Sequence, residues 1–174
     1  MILIMTALTF PAGGEAGERG PGPLQRMLPG ATELRPDTIA LTADERRAFQ
    51  ERTGAHAPAG PTVVYAARSD AGLIGYVVQD DVNGKDQLIT YAVAVGPDLK
   101  VRSLEILAYR EAYGGEVRNE SWRRQFQGKS PADPLRPGRE ISGITGATIS
   151  SRAVTLGVRR VLVLLDLVSR RLPR

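Results

Sequence analysis

"TVVYAARSDAGLIGYVVQ", residues 62–79, consists of two apolar runs broken by Asp70-Ala71-Gly72. Val, Ile and Tyr favour extended chain, and the Asp-Ala-Gly step supplies a tight reversal, so the stretch predicts a β-hairpin. The pattern recurs downstream, where "LITYAVAV" and "VRSLEILAY" flank Gly96-Pro97-Asp98. Two consecutive hairpins imply an antiparallel sheet of at least four strands. In the last run, Arg102, Leu104, Ile106 and Ala108 alternate with Val101, Ser103, Glu105 and Leu107, and the first set is the better core face.

Helical signals surround the hairpins. "LTADERRAFQERTG" carries a capping box, Thr42 with Glu45, and stops at Gly54, which predicts a helix over about 43–53. "NESWRRQFQGK" reads as a short helix capped by Asn119 or Ser121 and ended by Gly128, with Trp122 and Phe126 on one side. A final helix over about 149–170 buries a stripe of Ala153, Leu156, Val161, Leu164, Leu165 and Val168. The expected fold is α+β: an antiparallel sheet built from two hairpins, packed by helices, with a long C-terminal helix. Residues 11–30 hold six glycines and four prolines, the composition of a flexible linker. The expected division is therefore 1–29 as a flexible N-terminal segment and 30–174 as the folded domain.

Composition narrows the chemistry. With 42% hydrophobic residues the chain can bury a core, and its 23 basic and 19 acidic residues are interspersed rather than gathered into a basic run with aromatics. That argues for a solvated surface and against nucleic acid. There is no cysteine, so thiolate sites have no residues to use, and the single histidine, His56, sits in the loop-like "GAHAPAGP", which removes most histidine-based catalysis and nearly all zinc chemistry. No metal site and no catalytic acid/base pair is expected. The N-terminal "MILIMTALTF" is apolar for about half the length of a membrane-spanning helix and lacks the features of a complete signal peptide.

The stretch "EISGITGATISSRAVTLGVRRVLVLL", residues 140–165, crowds Thr145, Thr148, Ser150 and Ser151 around Gly146 at the start of the last helix. A helix N-terminus gathers unpaired N–H groups and the positive end of the dipole. The residues alone leave two readings open, an anion-binding turn and a plain N-cap with solvated hydroxyls.

"ITGATISS" resembles the S/T-G-A-T signature of the FMN-binding domains found in the sodium-pumping NADH:quinone reductase, the Rnf electron-transport complex and the nitrous-oxide reduction regulators. "ILAYREAYGGEV" and "WRRQFQGKSPADPL" extend the resemblance, which covers roughly residues 29–168. It implies an electron-transfer flavoprotein domain that carries FMN through a phosphoester to Thr148, the last residue of the signature. A flavin transferase working outside the cytoplasm makes that bond in the family, so an extracytoplasmic, membrane-associated location is implied, with a membrane redox complex or electron carrier as partner. The implied cofactor contacts in the signature are Thr145, Gly146, Ala147, Thr148, Ile149 and Ser150. The flavin wall and rim fall on Tyr109, Glu111, Tyr113, Gly115, Glu116, Gln125 and Lys129, each of which also reads as ordinary packing, turn or solvated charge. The family carries an aspartate three residues before the signature, where this chain has Ser142.

Such a domain is a redox carrier more than a self-sufficient enzyme. Two other readings remain: a reductase of a small acceptor with noncovalent FMN, and a domain that keeps the fold as an interaction module. The C-terminal Arg170, Arg171 and Arg174 read either as complements to the helix dipole or as a surface for an anionic membrane or an acidic redox partner.

Overall fold

The computed structural model describes residues 21–173. Its centre is a five-stranded antiparallel meander in the order β1-β2-β3-β4-β5. The strands are β1 (Glu33–Ile39), β2 (Thr62–Ser69), β3 (Gly72–Asn83), β4 (Leu88–Val95) and β5 (Val101–Tyr109). The four central and distal strands are the two expected hairpins. β1 is an addition the sequence pattern did not suggest. It contains Pro36, opposite Tyr65, and exposes most of its residues; a proline that cannot donate to the ladder is tolerated on an edge strand.

The expected short helix is α3 (Glu120–Arg123), which runs into a 3-10 turn, Arg124–Phe126, with Asn119 at its N-cap. One sheet face is covered by α2 (Ala43–Thr53) and α4 (Thr148–Leu167), which enclose Tyr76, Val78, Tyr91, Val93 and Leu104 together with Phe49, Val154, Val158 and Leu165. α2 has the predicted ends: Thr42 Oγ1 accepts from the Glu45 amide, the Glu45 carboxylate accepts from the Thr42 amide, and Gly54 closes the helix at φ +71°. α4 seats Gly157 against the fully buried Tyr91, where an added Cβ would stand 2.6 Å from the phenol oxygen. Its buried stripe therefore runs through Val154, Val158, Val161, Leu162 and Leu165, and the expected Ala153 and Leu156 are only half-buried. The helix stops at Leu167, and a 3-10 turn, Ser169–Arg171, follows. There Arg171 pairs with Glu45 at 2.7 Å and also donates to the Ala40 carbonyl, so this arginine ties the C-terminal turn to the start of α2. Arg174 and "MILIMTALTF" lie outside the described residues.

Two expectations need correction. The expected linker reaches residue 29, yet Pro21–Gln25 form α1, and Leu24, Met27 and Leu28 are buried on the opposite sheet face against Ala67, Val77, Ala92 and Ala94. The leucines pack on these small alanine side chains, and apolar burial of about 1.5–3 kcal/mol per large side chain outweighs the glycine and proline content nearby. On β5, Arg102 does not face the core. A register shift between Ala94 and Val95 puts Val101 inside with Leu104, and Arg102 turns outward to Asp98 at 3.0 Å. Among the described residues no helix is long and apolar enough to cross a membrane.

Candidate functional site

The start of α4 is built by a four-residue turn. The Ala147 amide donates to the Ile144 carbonyl at 3.0 Å, and Gly146 holds φ +83° at the third position, the left-handed conformation a type II turn requires there. Ala147 then occupies the N-cap with no side-chain cap. Two of the hydroxyls crowded into this segment, those of Ser150 and Ser151, are bonded away from the helix start. Ser150 Oγ meets the Tyr109 hydroxyl at 2.9 Å, Ser151 Oγ donates to the Thr148 carbonyl, and Thr155 Oγ1 donates to the Ser151 carbonyl. Ser150, Ser151 and Ala147 are buried, whereas Thr145, Thr148 and Ile149 stand exposed. An uncapped helix N-terminus with an exposed hydroxyl at its first residue is a place for an anion.

Beside it opens a cleft of about 500 Å³ lined by Tyr109, Glu111, Tyr113, Gly115, Arg118 and Gly146, among others, within the usual range of small-molecule sites. Gly146 belongs both to the cleft wall and to the turn that presents Thr148. Tyr109 closes β5, and its hydroxyl also donates to the Tyr113 carbonyl at 2.5 Å. Gly114, at φ +89°, packs against this pair: a Cβ there would lie 2.5 Å from the Tyr109 hydroxyl and 3.0 Å from Ser150 Oγ. Tyr113, also in the cleft lining, is 83% exposed.

Glu111 faces the β3–β4 connection, where its carboxylate accepts from the amides of Asp86 and Gln87 at 2.9 and 3.0 Å. Those bonds favour the charged form and hold its carboxyl below the usual value. The remaining implied contacts separate into two groups. Gly115 and Glu116 line the cleft with Tyr109 and Glu111. Gln125 does not; it accepts from the Ser142 amide at 2.8 Å and donates to the Trp122 carbonyl. Trp122 Nε1 in turn donates to the Ser142 carbonyl at 2.8 Å, so Gln125 and Trp122 fix the backbone before the signature. Lys129 lies outside the cleft lining, and its backbone pairs with Val101 and Phe126. Glu140, two residues before Ser142, is bound to Arg136 at 2.5 Å, which lowers its carboxyl to about 2.

Arg118 and Asn119 also line the cleft, and sequence reasoning did not single them out. Arg118 ends the 3-10 turn that begins at Gly115, and its guanidinium lies 5.7 Å from the Tyr109 ring centroid. Only the Gly-Gly step in "YGGEVRN" hints that the chain turns back on itself here.

Residues 84–163 match the family of FMN-binding domains. The chain is 37% identical over 106 residues to a component of the proton-translocating ferredoxin:NAD(+) oxidoreductase complex of Clostridium ljungdahlii, covering 56% of this chain and 57% of that relative. It is 29% identical over 147 residues to a component of the Na(+)-translocating ferredoxin:NAD(+) oxidoreductase complex of Acetobacterium woodii, covering 77% of this chain and 68% of the relative. The crystal structure of Shewanella oneidensis NqrC superimposes with a TM-score of 0.60 over 86% of this chain and 95% of that one. At 17% identity that likeness concerns the fold.

Proposed function

Residues 84–163 of this chain are an FMN-binding domain, and from that premise we propose that the chain is an electron carrier which holds FMN by a phosphoester to Thr148 and serves an ion-translocating redox complex at the membrane. The observation that carries this reading is the sharing of Gly146 between the cleft and the turn that presents Thr148. A single ligand with a planar ring and a phosphate tail suits that pairing.

The residues divide the work. The uncapped amides at the start of α4 favour a phosphate, and the exposed Thr148 hydroxyl stands beside them as acceptor for a flavin transferase. Gly146 lets the backbone approach closely, since nothing lies within 4 Å of the position its Cβ would take. Tyr109 and Tyr113 supply an aromatic wall, and Ser150 holds Tyr109 in place. Trp122 holds the Ser142 carbonyl and Gln125 its amide, so the backbone entering the signature is braced without an aspartate at that position. Bound FMN supplies the redox chemistry, and the chain supplies position and electrostatics. Docking at the outer face of the membrane fits the place where the family's transferase works.

Co-expression with a flavin transferase followed by intact-mass measurement tests the proposal. Wild type is expected to carry one FMN adduct and Thr148→Ala none. An adduct retained by the alanine variant would overturn Thr148 as acceptor, and flavin released by acid from wild type would favour noncovalent FMN.

A further inference from the structure

We propose that Arg118 sets the reduction potential of the flavin held in this cleft, a role that rests on the FMN-carrying reading above. Buried Val117 anchors the 3-10 turn, Gly115–Arg118, and the Arg118 guanidinium is laid over the Tyr109 ring at 5.7 Å, within cation–π range. Its Nε reaches the Gly115 carbonyl at 3.4 Å. Among the described residues, no carboxylate lies within ion-pair distance of it. Nearby arginines differ: Arg123 is paired with Glu105 at 2.5 Å and Arg124 with Glu120 at 2.6 Å. Glu111, also in the cleft lining, is committed to the loop amides. Glu116 is on the wall in the same turn but forms no ion pair with Arg118. The positive charge of Arg118 is therefore available to a ligand.

That charge distinguishes the two redox states of FMN. Two electrons and one proton convert the oxidised ring into its anionic dihydro form, FMN + 2e⁻ + H⁺ → FMNH⁻, and the added charge is shared along the N1–C2 carbonyl edge. A planar guanidinium is suited to such an edge. Only a difference in interaction between the two states moves the equilibrium, and a fixed cation favours the more negative one. Arg118 thus raises the potential, while Tyr109, itself held by Ser150, keeps the guanidinium at the cleft.

The flavin-loaded protein is titrated anaerobically with dithionite against a reference dye of known potential, as wild type, Arg118→Gln and Arg118→Lys. Loss of the charge should weaken the reduced state about tenfold relative to the oxidised one, which is about 30 mV lower for a two-electron couple. The lysine variant should recover more than half of the shift. A ratio for Arg118→Gln within twofold of wild type overturns the proposal. If the glutamine variant fails to fold or to hold flavin, wild type alone decides. Raising the salt shortens the Debye length from about 30 Å to about 3 Å, and the bound flavin should then fall in potential relative to free FMN in the same buffers. No relative change overturns the proposal. Wild type that carries no flavin at all removes the FMN-carrying reading first, and this inference with it.

Discussion

Gly114→Ala probes the contact on which the cleft and α4 both depend. The residue sits at φ +89°, a conformation that costs an alanine roughly 1–2 kcal/mol. Its new Cβ would lie 2.5 Å from the Tyr109 hydroxyl and 3.0 Å from Ser150 Oγ. Those hydroxyls are bonded to each other at 2.9 Å, so at least one must move and the bond is lost, at about 1 kcal/mol. The total is about 2–3 kcal/mol, a fall in melting temperature of roughly 4–12 °C for a chain of this size. Tyr109→Phe removes the same bond, the bond to the Tyr113 carbonyl and the nearest colliding atom, at about 2 kcal/mol alone. The double variant should therefore cost about 1 kcal/mol less than the sum of the singles. Urea unfolding of the four proteins measures that coupling. Additivity within about 0.5 kcal/mol, the behaviour of independent sites, would refute the idea that Gly114 packs on a bonded hydroxyl pair.

Other consequences follow from the same geometry. Gly157→Ala places a Cβ 2.6 Å from the Tyr91 hydroxyl and 2.8 Å from Val82 Cγ1; overpacking of about 1–3 kcal/mol should exceed the helix-propensity gain of about 1 kcal/mol, and a raised melting temperature would contradict the seat of α4. Glu140 is lowered from 4.5 to about 2 by Arg136. A carboxyl with a folded value below its unfolded one stabilises above the unfolded value and loses that contribution as the pH falls. The stability gap between wild type and Glu140→Gln should accordingly shrink between pH 4.5 and 2, as acid-titrated thermal unfolding would register.

Much of the arrangement is local and was therefore readable. The capping box of α2 is a reciprocal pair of bonds between residues three apart, and it formed as the spacing requires. Both hairpins formed at their turn residues, and the Thr-Gly-Ala-Thr step does open the long helix. The cleft was legible only in part. Tyr109, Glu111, Gly115 and Glu116 were brought to it, whereas Gln125 was drawn to the Ser142 backbone and Lys129 was left outside. A glutamine or a lysine has no sequence signal that tells a ligand contact from a backbone brace.

By itself the sequence determined the elements whose hydrogen bonds close within a few residues: α2, the two hairpins and the turn into α4. Tertiary structure decided what depends on partners far along the chain. The edge strand β1 exists because Glu33–Ile39 finds β2, although Pro36 and its exposed residues give no alternation to read. The residues after Pro21 are folded because Leu24 and Leu28 are buried against Ala67, Ala92 and Ala94. Likewise, Tyr109 meets Ser150 across 41 positions, and that meeting places the cleft beside Thr148. Turn and cap preferences act between neighbours and are written in the local order of residues. Burial and pairing between distant segments depend on loop closure, on the shape of the surface offered and on which polar groups remain to be satisfied.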